Sequence, residues 1–377
     1  MSGIAYLDHA ASTPMRREAV DAMLPYLTEQ YANPSGSHRF ARASRRAVDD
    51  AREVVASVIG CDPGDVVFTS GGTESDNTAI LGAVARRGGA AICPATEHHA
   101  VLAAVERVGG LVLPVTPTGV VDLDALASAL DSCSDVAVVS VMTVNNEVGS
   151  VSAIDEVGRI VRTRSSALLH TDAVQAPHWV DLRAVSPHVD LLSLSAHKFG
   201  GPKGVGVLMV RAGVHLSPTA IGGGQERERR SGTQNVAGIV AMAEAMRLAD
   251  LERADEVRRI GALRDRFVDA LRSGLDGVHE TVPRADKVAG SAHVCIEGIE
   301  NEALLFLLDE ADVCASAASA CASGAMEPSH VLAAMGVPTE LARGAVRFTL
   351  GRTTSADDVD RAAAVVVGAV QRLRRAA

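Results

Sequence analysis

Between residues 65 and 210, short apolar runs alternate with stretches of helical period, and this pattern governs the reading of the whole chain. The runs lie at 65–69, 90–95, 111–115, 135–142, 167–171, 190–195 and 204–210. They are rich in Val, Leu and Ile with little polar alternation, as strands buried on both faces must be. Their alternation with helices predicts an α/β layer arrangement, a mostly parallel seven-stranded sheet with helices on both faces. Two helices should precede it. Thr13-Pro14 offers a cap and a first-turn proline for a helix to about Gln30, and Ser37 and Gly60 bracket a second, amphipathic one. After a loop at 221–233, a long helical stretch from Asn235 to about Leu275 should link to a smaller α+β C-terminal unit. Its expected parts are a strand at 292–297, a helix at 301–310, a small-residue loop to Gly324, a helix at 328–335, a strand at 345–350 and a last helix from Ser355.

The chain has 377 residues, 47% of them hydrophobic, enough to bury a large core and to form two domains. The division expected is a large domain at 14–250 and a small one made of 1–13 and 251–377. Acidic side chains outnumber basic ones, 46 to 36, for a net charge of -10, which argues against a nucleic-acid platform. No apolar run reaches the roughly 18 to 20 residues of a spanning helix, and the N-terminus carries no basic segment followed by an apolar one. A cytoplasmic enzyme with no membrane role is the expectation. The six cysteines are scattered without paired spacing, against a zinc site or a disulfide framework.

Ser195-Ala196-His197-Lys198-Phe199-Gly200-Gly201 sets a lysine in a glycine-rich turn directly after an apolar run. Open α/β sheets bind ligands beyond the carboxyl ends of their strands, so Lys198 is a candidate nucleophilic amine able to form a Schiff base. Other strand ends carry polar residues too: Gly71-Gly72-Thr73, Glu97-His98-His99, Asn145-Asn146-Glu147 and Asp172-Ala173-Val174-Gln175. Gly72 and Thr73 open a helix whose amides and dipole suit a phosphate, although a Gly-Gly turn is often only a turn. Asp172 is either an N-cap or the partner of a protonated ring nitrogen. His98 offers a flat imidazole that stacks and moves protons near neutral pH, whereas His99 reads as an ordinary loop histidine. Cys321 lies among Ala, Ser and Gly with no large apolar neighbour, a presented nucleophile within a mobile segment, while Cys314 reads as core. Arg347, inside an apolar strand, needs an anion: a substrate carboxylate or a structural Asp or Glu.

Taken together, Lys198 in Ser-Ala-His-Lys-x-x-Gly-Pro-Lys-Gly, Asp172-Ala-x-Gln175, Thr96-Glu97-His98, Thr73-Glu74-Ser75, Asn145-Asn146-Glu147-x-Gly149, Arg230-Ser231-Gly232-Thr233 and Ser-Ala-Cys321-x-Ser-Gly resemble the cysteine desulfurases. These are fold-type I, pyridoxal-phosphate-dependent enzymes of the class V aminotransferase group. The resemblance runs from Tyr6-Leu7-Asp8-His9-Ala10-Ala11 to Arg347-Phe348-Thr349-Leu350-Gly351-Arg352.

The resemblance implies a cofactor, pyridoxal 5'-phosphate, held by Lys198, with Asp172 on its ring nitrogen, Gln175 on the ring hydroxyl and His98 on the ring face. Thr73, Gly72, Ser195 and His197 would hold the phosphate, joined by Thr233 from the second subunit of a homodimer. Asn146 would lie beside cofactor and substrate, and Arg347 would take the carboxylate of L-cysteine. Lys198, His98 and Cys321 would be the catalytic groups, giving L-alanine and a persulfide on Cys321 for an acceptor protein, with no metal. A selenocysteine lyase or a related C–S lyase without persulfide is the alternative, and a non-enzymatic scaffold is the third. One departure stands out: the family often has histidine where Gln225 stands, and the charged stretch 226–230 leaves the order of that loop open.

Overall fold

The computed structural model describes residues 3–317 and 329–376. A seven-stranded sheet runs in the spatial order Val66–Thr69, Gly206–Val210, Leu191–Ser195, Leu168–Asp172, Val136–Ser140, Ala90–Pro94, Leu111–Leu113. Gly206–Val210 is antiparallel to both its neighbours, Val66–Thr69 at the edge and Leu191–Ser195; the remaining pairings are parallel. The fold class is therefore the expected α/β one, with each apolar run a strand. Every residue of Val136–Ser140, Leu168–Asp172 and Leu191–Ser195 is buried, which explains why these runs lack polar alternation.

A three-stranded antiparallel sheet, Val278–Glu280, Ser291–Ile296 and Ala345–Thr349, forms the centre of the C-terminal part. Beside it, Ala5–Tyr6 pairs with Val313–Cys314 in a parallel two-stranded ladder. Two large apolar clusters result: one packs Ile239, Met242 and Met246 against the seven-stranded sheet, and the other gathers Phe267, Leu271, Phe348 and Val366. The helix Val236–Gly274 contributes to both, and Asn235 caps its start by accepting from Gly238 N at 3.0 Å. The final helix, Ala356–Ala376, opens on a reciprocal box: Asp358 N donates to Ser355 Oγ, and Ser355 N donates to Asp358 Oδ2.

The structure corrects several local expectations. The first helix is Arg17–Thr28, because Thr13 is otherwise engaged: its amide and hydroxyl both donate to the His197 carbonyl oxygen, at 3.0 and 2.9 Å. The second helix, Arg39–Ile59, is capped by His38 instead of Ser37, with His38 Nδ1 accepting from Ala41 N. Cys314 is only half-buried. The strands Ala5–Tyr6, Val278–Glu280 and Val313–Cys314 are too short to carry a period. The charged stretch after Gln225 is ordered: Glu226 is buried, its carboxylate bidentate on Arg52 at 2.8 and 2.9 Å, in a left-handed turn over Glu226, Arg227 and Glu228. Among the described residues no helix is long and apolar enough to cross a membrane.

Candidate active site

The carboxyl ends of the sheet strands converge on a cavity of about 400 Å³. Gly72, Thr73, His98, Asn146, Asp172, Gln175, Ser195, His197, Lys198 and Arg347 all line it, each singled out from the sequence alone. Two candidates do not appear there. Thr233 is exposed and outside the lining of its own chain's cavity, and Cys321 lies outside the described residues, as does the expectation that its segment is mobile. On the near side, Ser316 lines the cavity and exchanges two backbone hydrogen bonds with Arg347, at 3.1 and 2.8 Å. Where the described chain resumes, Ser329 donates to the buried Glu147 carboxylate and His330 Nε2 bonds the Glu97 carbonyl oxygen at 3.0 Å.

Lys198 sits in the one-turn helix Ala196–Lys198 at the end of Leu191–Ser195. Burial and the Arg347 guanidinium pull its amine down to about 8 from 10.5, against the pull of Asp172 and Asp8. Its Nζ donates to the carbonyl oxygens of Ala10 and Ala11, at 2.5 and 2.9 Å. Asp172 ends its strand with Oδ1 accepting from Val174 N at 2.8 Å. That is a turn contact at the strand end, and it leaves the second oxygen for another donor.

Near Asp172 lie two further buried carboxyl groups: Glu97, which the sequence placed at a strand end without a role, and Asp76, which sequence reasoning missed. Asp76 Oδ1 and Glu97 Oε2 have no hydrogen-bond partner among the described residues. Burial, then the charge of Asp172, pushes both well above the carboxylate range. Burial raises Asp172 as well, but there His98, the Val174 amide and Lys198 oppose the rise. The signal for Asp76 was available: it lies four residues after Gly72 on the same helix, hence on the same face.

His98 caps the helix His99–Arg107 through Nδ1, which accepts from Ala100 N at 3.1 Å. With Nδ1 committed as an acceptor, the neutral ring carries its proton on Nε2. Desolvation lowers its pKa, opposed by Asp172 and assisted by Lys198. His99 opens the helix, and its ring lies 4.6 Å from that of His330. Burial and Lys198 bring His197 down to about 4, so it is neutral, with Nδ1 3.2 Å from Ser12 Oγ. Gln175 Nε2 donates to Ala10 O at 2.8 Å, leaving a second N–H.

These groups fit pyridoxal phosphate. The helix Gly72–Arg87 turns its first amides, which have no intrahelical acceptor, toward Ser195 and His197 at one end of the cavity, as a phosphate requires. Gly72 is required for that approach, since a Cβ there would lie 2.8 Å from the Val174 side chain. A lysine amine of lowered pKa and a buried carboxylate with an uncommitted oxygen supply the other two anchors. Among the described residues no cluster of His, Cys, Asp or Glu could hold a metal ion.

Comparison with known proteins identifies the family. The aminotransferase class-V model matches residues 5–362, and the chain belongs to that family. Within it, the chain is a cysteine desulfurase of the NifS-like group, an enzyme class that depends on pyridoxal phosphate. It is 42% identical to the cysteine desulfurase IscS of Dictyoglomus turgidum, covering 98% of this chain and 95% of that one. It is 43% identical to an IscS-like cysteine desulfurase of Mycobacterium tuberculosis, covering 99% and 98%. Among solved structures, a NifS-like protein superposes with a TM-score of 0.91 at 33% identity, covering 98% of this chain and 100% of that one. The structure of SspA in complex with cysteine gives 0.81 at 29% identity, covering 92% and 98%.

Proposed function

We propose that this chain, as a cytoplasmic homodimer, takes sulfur from L-cysteine and keeps it as a persulfide on Cys321 before an acceptor protein removes it. The observation that carries this reading is the meeting, in one cavity, of Lys198, Asp172, His98 and Arg347, which come from four different strands or strand ends. Pyridoxal phosphate, when bound, supplies an electron sink for negative charge at the substrate Cα and so weakens the Cβ–S bond.

Arg347 binds the substrate carboxylate and Asn146 lies beside it. Lys198, its amine near neutral poise, moves the proton at the substrate Cα. His98 Nε2 is the proton-carrying atom at the substrate thiol. Cys321 Sγ attacks the substrate sulfur: an S–S bond forms, the Cβ–S bond breaks with its electron pair left on the substrate, and protonation there gives alanine. One cysteine and one enzyme thiol thus become one alanine and one persulfide, with no external oxidant. The described thiols Cys61, Cys93, Cys295 and Cys314 suit this work poorly, since burial raises the pKa of each.

A second copy of the chain would supply the Thr233 that completes the phosphate site, a reading supported by Thr233 standing exposed outside the lining of its own chain's cavity. Two separate apolar clusters support the division into 14–250 and 1–13 with 251–377. Stoichiometric reaction with L-cysteine tests the function: alanine should appear with one extra sulfur on the Cys321 peptide. Free sulfide with Cys321 unmodified would turn the reading to a C–S lyase.

A further inference from the structure

Arg347 is already gripped on two sides by the protein itself. Its Nη1 donates to the Asn146 carbonyl oxygen at 2.9 Å and its Nη2 to Asp8 Oδ1 at 2.7 Å. Nε is buried and has no hydrogen-bond partner among the described residues. The arginine side chain is 7% exposed and that of Asp8 21%. Arg347 lines the cavity and Asp8 does not, so the aspartate holds the fork from behind.

The main chain fixes where Asp8 stands. Thr349 N donates to Leu7 O and His9 N to Thr349 O, which locks residues 7–9 to the strand that carries Arg347. Tyr6 Oη donates to Asp8 O at 3.1 Å and to Ser12 O at 2.8 Å. Beyond Asp8, Ala10 O accepts from both Lys198 Nζ and Gln175 Nε2. A single turn, 8–11, thus touches the arginine, the lysine and the glutamine of the site.

A guanidinium offers five N–H donors in a rigid fork, but its stem turns freely unless something holds it. Here two donors are committed to the protein, and the buried Nε–H has no hydrogen-bond partner among the described residues. We propose that Asp8 is a positioning residue for the substrate carboxylate: it sets the Arg347 fork so that its uncommitted donors serve the cavity, and it offsets the arginine's charge beside Lys198. This rests on the reading of Arg347 as the carboxylate-binding group. Opposite effects of Asp8 and Arg347 on the Lys198 amine accord with it.

The test is an absorbance titration of the cofactor-loaded Cys321→Ala protein with L-cysteine and with cysteamine, which has the amine and thiol but no carboxylate. Asp8→Asn, Asp8→Glu, Arg347→Ala and the Asp8→Asn/Arg347→Ala double variant are compared, and melting of each cofactor-free protein reports folding. Asp8→Asn should weaken L-cysteine about tenfold, the scale of one charge-assisted hydrogen bond, and leave cysteamine within about twofold. Asp8→Glu should recover most of the loss, and the double variant should bind L-cysteine no more weakly than Arg347→Ala alone. Unchanged L-cysteine binding in Asp8→Asn, an equal loss for cysteamine, or a further loss in the double variant would each overturn the proposal. Should Arg347→Ala itself leave L-cysteine binding unchanged, the carboxylate reading beneath the proposal fails, an outcome that Arg347→Ala shows without any Asp8 variant.

Discussion

The two halves of the site are built by different rules. On the sheet side, Thr73, His98, Asn146, Asp172 and Lys198 come one after another along the chain, each at or just past the carboxyl end of a strand. On the other side, Arg347 owes its place to partners that lie far off in sequence: Asp8 is 339 residues away and Asn146 is 201. The difference teaches that a parallel sheet gathers chemistry by local rules, one loop per strand, whereas the second half gathers it by long-range pairing of an edge segment. On the function proposed above, the sheet side would hold the cofactor's charge and phosphate and the other side would select the substrate.

That division can be broken at either end. Lys198→Ala should do the greatest damage, lowering alanine formation from L-cysteine by about 10⁴-fold or more, because neither of the other two lysines lines the cavity. Arg347→Ala should instead act on recognition, reducing kcat/KM by about 10²-fold, mostly through KM, as loss of a bidentate carboxylate contact does. If Arg347→Ala lowered kcat alone, the separation into a chemical side and a recognition side would be wrong.

A stability probe sharpens the same contrast from within the sheet region. Glu226 is buried against Arg52, accepts from Phe68 N at 3.0 Å, and anchors a left-handed turn that needs support in three consecutive non-glycine residues. Glu226→Ala strands the Arg52 charge and should cost about 3 kcal/mol in urea unfolding. The resident Arg347–Asp8 pair is nearer solvent, so Asp8→Asn should cost clearly less.

The smallest effect expected is a shift with pH. Schiff-base formation needs the neutral amine, and Lys198 sits at about 8, lowered by burial and by Arg347. Uptake of pyridoxal phosphate by the cofactor-free protein should therefore speed up about tenfold per pH unit below 8 and level off above it. Arg347→Ala removes a cation that disfavours the protonated amine, so the midpoint should move upward. A midpoint near 10 in the unaltered protein would show that the amine is not desolvated.

How much of this was legible in the sequence follows the same boundary. The sheet strands show as apolar runs because most are buried on both faces, the edge strand Leu111–Leu113 with two exposed residues excepted, and the lysine, aspartate and histidine show because each follows or ends such a run. The Arg347 strand was legible too, but its partner was not: the sequence left a substrate carboxylate and a structural acid as rivals, and the structure supplies Asp8 while Nε has no hydrogen-bond partner among the described residues. Nothing periodic marks Asp8, which lies just past the strand Ala5–Tyr6, itself too short to have a pattern. The mistaken helix start at Thr13-Pro14 has the same origin. Its threonine bonds the carbonyl of His197, a long-range tie that overrode a good local cap.

The central claim is that the cavity at the strand ends is where the cofactor is bound, through Lys198. The chain offers only three lysines, Lys198, Lys203 and Lys287. Lys203 is exposed outside the cavity lining, and Lys287 is paired with Glu280 at 2.8 Å. Borohydride reduction of the yellow, cofactor-loaded protein, followed by peptide mass mapping, should place the reduced pyridoxyl phosphate on the Lys198 peptide alone. A pyridoxyl mass on the Lys203 or Lys287 peptide, with Lys198 unmodified, would contradict the account.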